Sequence, residues 1–371
     1  MGKSTTCDVL IYVPTFDGGG AERVFVRLAN FYTSQGTKVT FVVNKAGGPI
    51  QQTLFPEVKV LETGVRQSLR AVPRLFKILR QERPTAVFSA LTSANIAMVA
   101  AARLAGLTGA PTRVMVCERN EYTTSSKRYS PKKRFLFSTL IRLTYPFADK
   151  ISGNASGVVE DLKRYVKFSG RKFCLIPNPA PDSAQVEVAK TAAPPHPWFT
   201  ENTPVAVAMA RLVPQKDYPT MLRAVAECPV PVRLIVLGQG DQRPELEAMA
   251  ADLGIQDRVD FAGFRMNRFD YLAHSNVFLL SSLSEGFPNA LIEALSFGLP
   301  CVSTDCAGGG PRDVLGEPFP QMLVPMQDSH AMANAMTQQL SHPPTSERIA
   351  AVVERFSIDA ISDQFLREIR A

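Results

Sequence analysis

Short apolar runs recur along the chain, each closed by a turn and followed by a longer stretch whose apolar residues fall at three- and four-residue steps. Apolar runs bounded by turn residues predict buried strands, and the 3.6-residue spacing predicts helices. In the first half, strands are expected at 9–14, 39–43, 86–89, 113–117 and 150–152, with a helix over 21–32. The pattern starts over in the second half, with strands at 205–208, 233–237, 259–261, 277–280 and 301–303 and helices over 218–227 and 243–253. Strands alternating with helices predict parallel sheets covered on both faces. Between the halves, Ile176-Pro177-Asn178-Pro179-Ala180 and then Pro194, Pro195 and Pro197 interrupt both periods and read as a linker. The expected fold is α/β, with two parallel-sheet domains over 1–178 and 179–355 facing a central cleft. A C-terminal helix over 356–371 is expected to pack back on the first domain.

Length agrees with two domains, because 371 residues exceed what one hydrophobic core organises. No uninterrupted apolar run reaches 18 residues; the nearest, 86–107, is broken by Ser89, Thr92, Ser93, Asn95 and Arg103, so no spanning helix is expected. The N-terminus lacks the basic start and small-residue cleavage site of a signal peptide, which makes the cytosol the expected compartment. Six cysteines without a Cys-x-x-Cys pair indicate neither a disulfide framework nor a zinc site.

Charge sharpens the division. Residues 1–180 carry 27 Lys+Arg against 11 Asp+Glu, whereas the remainder carries 14 against 23. A basic half calls for an anionic partner, either nucleic acid or an acidic membrane surface. Arg66, Arg70, Arg74, Lys77, Arg80 and Arg83 recur at steps that place them on one helical face. Lys132, Lys133 and Arg134 adjoin Phe135 and Phe137 in a stretch without acids, the composition of an interfacial membrane helix. No helix-turn-helix, zinc or RNA-binding signature accompanies the charge, so the membrane surface is the expected partner and nucleic acid is not.

The densest chemical signal lies at 284–295. Glu285 sits in a Gly/Pro turn, and Glu293 follows eight residues later on a helix expected to start at Pro288. Two carboxylates so placed can grip two separate hydroxyl groups of one elongated ligand, with the helix start suited to a phosphate between them. A short apolar strand precedes the turn, and the carboxyl ends of strands are where open α/β sheets bind ligands. Arg211 and Lys216 follow another strand and can neutralise a diphosphate without a metal. Gly18-Gly19-Gly20 opens a helix, and Gly238 with Gly240 forms a turn lacking the third glycine of a dinucleotide fingerprint. All four histidines lie in the second half, and neither Gly-x-Ser-x-Gly nor Asp-x-Asp occurs, which argues against a hydrolase triad or a metal-held nucleotide.

Together these residues resemble the retaining family-4 glycosyltransferases of the GT-B fold, two Rossmann-like domains, most closely those building bacterial lipid-linked oligosaccharides and O-antigens. The resemblance spans nearly the whole chain. It rests on Gly18 through Arg23, Glu118-Arg119-Asn120, Ile176 through Pro179, Arg211 with Lys216, Glu285 through Glu293, Ser303 through Cys306, and Gly310-Pro311-Arg312. It implies that Glu285 contacts the transferred sugar, Glu293 the ribose hydroxyls, and Arg211 with Lys216 the leaving diphosphate. Gly286, Phe287, Pro288 and Asn289 would offer backbone contacts, and Gly263 and Phe264, with Gly238 lining the same site, would meet the base. Gly18, Gly19 and Gly20 would face the phosphates and acceptor from the first domain. Many members place a histidine beside the sugar in the first domain; this chain has none there, leaving Arg119 or Asn120 as its stand-in.

The resemblance further implies transfer of a hexose or N-acetylhexosamine from a nucleotide sugar to a polyprenyl-diphosphate-linked saccharide. No cofactor or metal is required, a UDP-sugar donor is favoured over GDP-mannose, and the protein would sit peripherally on the inner face of the cytoplasmic membrane. Two other classes compete: a non-catalytic sugar-nucleotide-binding protein, and a nucleotide-dependent oxidoreductase, which would need the full glycine fingerprint.

Overall fold

The computed structural model describes residues 7–17, 19–166 and 170–371. It forms two α/β units, Met1–Pro179 joined by Ile358–Ala371, and Ala180–Ser357.

The first unit holds seven strands: β1 (Val9–Tyr12), β2 (Val39–Val43), β3 (Lys59–Glu62), β4 (Ala86–Ala90), β5 (Arg113–Glu118), β6 (Lys150–Gly153) and β7 (Phe173–Leu175). Their order is β3-β2-β1-β4-β5-β6-β7, and every pairing is parallel. β1, β2 and β4 are buried along their whole length, as strands with helices on both faces must be. The chain returns to this unit at its end. Phe365, on the helix Ile358–Arg370, packs its ring 5.2 Å from Phe88 and 6.1 Å from Phe25. Gln364 donates to the Leu175 carbonyl at 2.7 Å, and Tyr32 donates to the Ser362 carbonyl at 2.9 Å.

In the second unit, β8 (Val205–Met209), β9 (Arg233–Leu237), β10 (Val259–Gly263), β11 (Val277–Leu280), β12 (Cys301–Thr304) and β13 (Leu323–Val324) are ordered β10-β9-β8-β11-β12-β13, again all parallel. Strand order reverses between β1 and β4 in the first sheet and between β8 and β11 in the second. Loops leaving the carboxyl ends of two strands at such a point diverge to opposite faces, which opens a crevice.

Two sequence expectations need correction. The basic stripe does not lie on one helix: the helix is Val72–Glu82, a separate 3₁₀ turn spans Ser68–Ala71, and Arg83 takes a left-handed φ of 48°. Arg66, Arg70, Arg74, Lys77 and Arg80 are nonetheless exposed. Phe137 is no surface contact: on the helix Pro131–Thr144 it is buried, its ring 5.8 Å from Tyr129. Phe135, Leu136, Leu143 and Phe147 are the exposed apolar residues there, beside exposed Lys132, Lys133 and Arg134. Among the described residues, no helix is long and apolar enough to cross a membrane.

Candidate active site

The loops at the β8/β11 switch point are stitched together. After β8 the chain makes a short 3₁₀ turn, Pro214–Lys216, closed by Asp217 at a φ of 45°. The loop after β11 docks on it: the Leu283 amide donates to the Gln215 carbonyl at 2.9 Å, the Gln215 side-chain amide to the Ser284 carbonyl at 2.7 Å, and the Ser281 hydroxyl to the Lys216 carbonyl at 2.7 Å. This clamp brings the Lys216 ammonium onto the Glu285 carboxylate, which also accepts from the Ser282 hydroxyl at 2.7 Å. Both side chains are mostly buried, 16% and 12% exposed, so their pairing is weakly screened. The ammonium has three donors and spends one here, leaving two for a phosphate.

A second clamp comes from β12. The Glu285 amide donates to the Ala307 carbonyl at 2.8 Å, and Gly308 and Gly310 lie so close to the loop that a methyl on either would overlap the carbonyl of Glu285 or Gly286. The loop carrying Glu285 is thus held from both neighbouring strands. Pro288 immediately precedes the helix Asn289–Ser296, one residue later than the sequence spacing predicts. Leu291, Ile292, Ala294 and Leu295 are buried, which leaves Glu293 18% exposed. Phe287 points into the core, its ring 5.4 Å from Phe356, so only its backbone is available to a ligand.

Glu293 has a partner that sequence reasoning missed. Arg268 donates from Nε and Nη2 to its two oxygens at 3.1 and 2.9 Å, a planar fork. Burial pulls the Arg268 pKa down, but the hydrogen bonds and charge of Glu293 outweigh it and hold the guanidinium more firmly protonated than usual. The only sequence signal was an arginine shortly after Gly263-Phe264, where the helix Arg268–His274 begins. Phe264 is 58% exposed, Gly263 has a φ of 77°, and the Gly238 amide donates to the Gly263 carbonyl at 2.9 Å. Arg211 is exposed, with no ion pair among the described residues.

The first unit departs further from expectation. Gly18 lies outside the described residues; Gly19 and Gly20 are exposed and open the helix Gly20–Ser34. Arg119 does not project toward a ligand. It is 5% exposed, donates to the Asn178 side chain at 3.0 Å, and stacks 4.8 Å above Phe25 and 5.8 Å from Phe365, while its Nε and Nη2 find no partner among the described residues. Burial lowers its pKa. Asn120, next in the chain, is exposed.

Glu118 is a buried strut: Thr92 and Asn95 donate to its carboxylate, each at 3.1 Å, as does the Tyr145 hydroxyl. Desolvation raises its pKa despite these donors. With the folded pKa above the unfolded one, the folded chain holds the extra proton between them, so the Glu118 contribution is full below the unfolded value of about 4.3 and is lost as pH rises through the folded value. Glu118→Gln cannot titrate. The stability advantage of wild type over this variant is therefore expected to shrink as pH rises above the unfolded value, measured by urea unfolding; an advantage that grows with pH would refute this.

Among the described residues, no three His, Cys, Asp or Glu side chains form a metal-ligand set.

Comparison with known proteins supplies a family and a fold. Residues 18–183 match the family model Glycosyltransferase Family 4, and residues 192–354 match Glycosyl transferases group 1. The chain is 26% identical to the lipopolysaccharide core biosynthesis glycosyltransferase LpsE of Rhizobium meliloti, over 94% of this chain and 95% of the relative. It is also 26% identical to the GalNAc-alpha-(1->4)-GalNAc-alpha-(1->3)-diNAcBac-PP-undecaprenol alpha-1,4-N-acetyl-D-galactosaminyltransferase of Campylobacter jejuni, over 96% of each. In structure it is similar to Anabaena HepE, solved with UDP, at a TM-score of 0.80 and 18% identity, over 98% of this chain and 99% of that one.

Proposed function

The chain belongs to the glycosyltransferases, with a Family 4 domain followed by a group 1 domain, and from that premise we propose that it moves a hexose or N-acetylhexosamine, with retention, from a UDP-sugar to a polyprenyl-diphosphate-linked saccharide. The observation that carries this reading is the Lys216–Glu285 pair at the β8/β11 switch point, a cation and an acceptor carboxylate held side by side on loops clamped from both neighbouring strands. Lys216, joined by Arg211, neutralises the diphosphate, and Glu285 accepts hydroxyls of the transferred sugar.

The bond from the anomeric carbon to the diphosphate oxygen breaks, and its electron pair leaves with the diphosphate. The acceptor oxygen forms the new bond on the same face, and its proton passes to the departing diphosphate oxygen. No protein base is needed; the residues supply charge neutralisation and orientation. The UDP choice draws on the HepE complexes with UDP and with UDP-glucose, and the acceptor on the Campylobacter relative's name. Exposed Phe135, Leu136, Leu143 and Phe147 beside Lys132, Lys133 and Arg134 favour peripheral attachment to an anionic membrane.

Incubation with a panel of UDP- and GDP-sugars and an undecaprenyl-diphosphate-linked saccharide tests the reading. Mass analysis is expected to show one sugar added from a UDP donor, and nuclear magnetic resonance to show the donor's anomeric configuration in the product. Transfer from GDP-mannose alone, or an inverted linkage, would refute the corresponding part.

A further inference from the structure

Both side chains that donate to Glu285 land on the same oxygen. The Lys216 ammonium and the Ser282 hydroxyl each donate to Oε1, the hydroxyl at 2.7 Å. A carboxylate oxygen offers about two lone-pair sites, so Oε1 is filled. Oε2 receives no hydrogen bond among the described residues, and it is not one of the sealed polar atoms left without a partner, so both of its sites are open to a ligand. Glu285 thus presents one oxygen, not two.

The two donors are not equivalent. An ammonium on its flexible stem is a point charge with three rotating donors, and it follows whichever oxygen turns toward it. A serine hydroxyl has a short, fixed reach. Ser282 is fully buried, and its carbonyl is held from β12 by the Thr304 hydroxyl. Its neighbours are held from the other side: the Ser281 hydroxyl donates to the Lys216 carbonyl at 2.7 Å and the Leu283 amide to the Gln215 carbonyl at 2.9 Å. The Ser282 hydroxyl therefore meets the carboxylate from one direction and selects the oxygen it binds. We infer that Ser282 is a positioning residue, which turns Glu285 so that Oε1 faces Lys216 and Oε2 alone faces the donor. This rests on the reading of the Lys216–Glu285 pair as the donor site. Without the hydroxyl, the ammonium bonds either oxygen, the carboxylate rotates between two arrangements, and the open acceptor no longer stands in one place.

Steady-state transfer from the UDP- and GDP-sugar panel, with equilibrium binding of UDP and GDP, tests the inference on the full-length chain and its Ser282→Ala and Ser282→Cys variants. Ser282→Ala is expected to lower kcat/KM for the active donor about tenfold, most of it in kcat, because a misplaced positioning contact costs rate more than ground-state binding. Binding of the free nucleoside diphosphate, which carries no sugar for Glu285 to hold, is expected to stay within about twofold of wild type. Ser282→Cys fills the same space with a weak S–H donor and is expected to lose most of the same activity. Unchanged transfer in Ser282→Ala overturns the inference. So does full activity in Ser282→Cys, which would make the serine a space filler, or a matching loss of nucleoside diphosphate binding, the mark of a loop that has merely loosened. Each of these results leaves the donor reading intact. Wild type transferring no sugar from any donor overturns both.

Discussion

Lys216→Ala is expected to lower kcat by about a hundredfold to a thousandfold, the range found when one preorganised charge is taken from a developing anion. Lys216 sits where the two central loops of the second sheet converge, with one donor on Glu285 and two to spare. The charge it meets in the transition state is greater than in the bound donor, because the diphosphate gains a negative charge as the glycosidic bond breaks, so the loss falls mainly on kcat. Two effects have to be separated. Removing the ammonium also leaves a mostly buried Glu285 with the Ser282 hydroxyl as its remaining side-chain partner, which costs about 1–3 kcal/mol of stability. Steady-state turnover measured well below the unfolding midpoint isolates the catalytic part. Lys216→Arg keeps the charge and is expected to recover much of it, whereas Lys216→Ala within threefold of wild type would remove Lys216 from the mechanism.

The Gly308→Ala variant, in a residue that touches no ligand in the proposed reading, is expected to lose about a hundredfold in kcat/KM, together with about 2–4 kcal/mol of stability. Two physical terms act on the same atom. Gly308 has a φ of 90°, where a side chain is strained, and an added methyl would overlap the Glu285 carbonyl oxygen and lie 2.7 Å from its carbon. Neither obstacle is a flexible side-chain end, so the backbone of Glu285 has to move. A shift of about 1 Å in a positioning element is enough for a loss of that size. Gly254→Ala serves as the control: its φ is 68° but nothing lies within 4 Å of the added methyl, so it should carry the strain of about 1–2 kcal/mol and keep its activity. If Gly254→Ala and Gly308→Ala proved equally active, the close approach of the β12 loop would not be what holds Glu285.

What could be read from the chain alone follows burial. Central strands such as β1, β8 and β11 are continuous apolar runs and were legible, as was the helix Tyr218–Glu227. β3, β7 and β13 escaped, and edge position alone is not the reason, since β10 is an edge strand that was legible. β3 reads Lys-Val-Leu-Glu, half exposed, and β13 has two residues, so neither carries a run long enough to register. Lys216 and Glu285 were each visible as charges following a strand. Arg119 was misread because an arginine after a strand looks the same whether it points to a ligand or, as here, lies buried between Phe25, Phe365 and Asn178. Phe137 was misread for a similar reason, since one helix interleaves aromatic residues that are exposed and buried.

The amino-acid sequence by itself determined the alternation of strands and helices, the division into two sheet-forming halves, and the placing of Glu285 in a turn with Glu293 on the helix that follows. Those properties depend on local periodicity and on proline and glycine, which act within a few residues. Only the tertiary structure decided which cation meets which carboxylate: Lys216 with Glu285 across 69 positions, and Arg268 with Glu293 across 25. The reason is that strand order in a parallel sheet is set by how crossover helices pack on its faces, and β8 becomes the neighbour of β11 only once that packing is complete. The two carboxylates that sequence reading took for a matched pair are, in the folded protein, each held by its own cation.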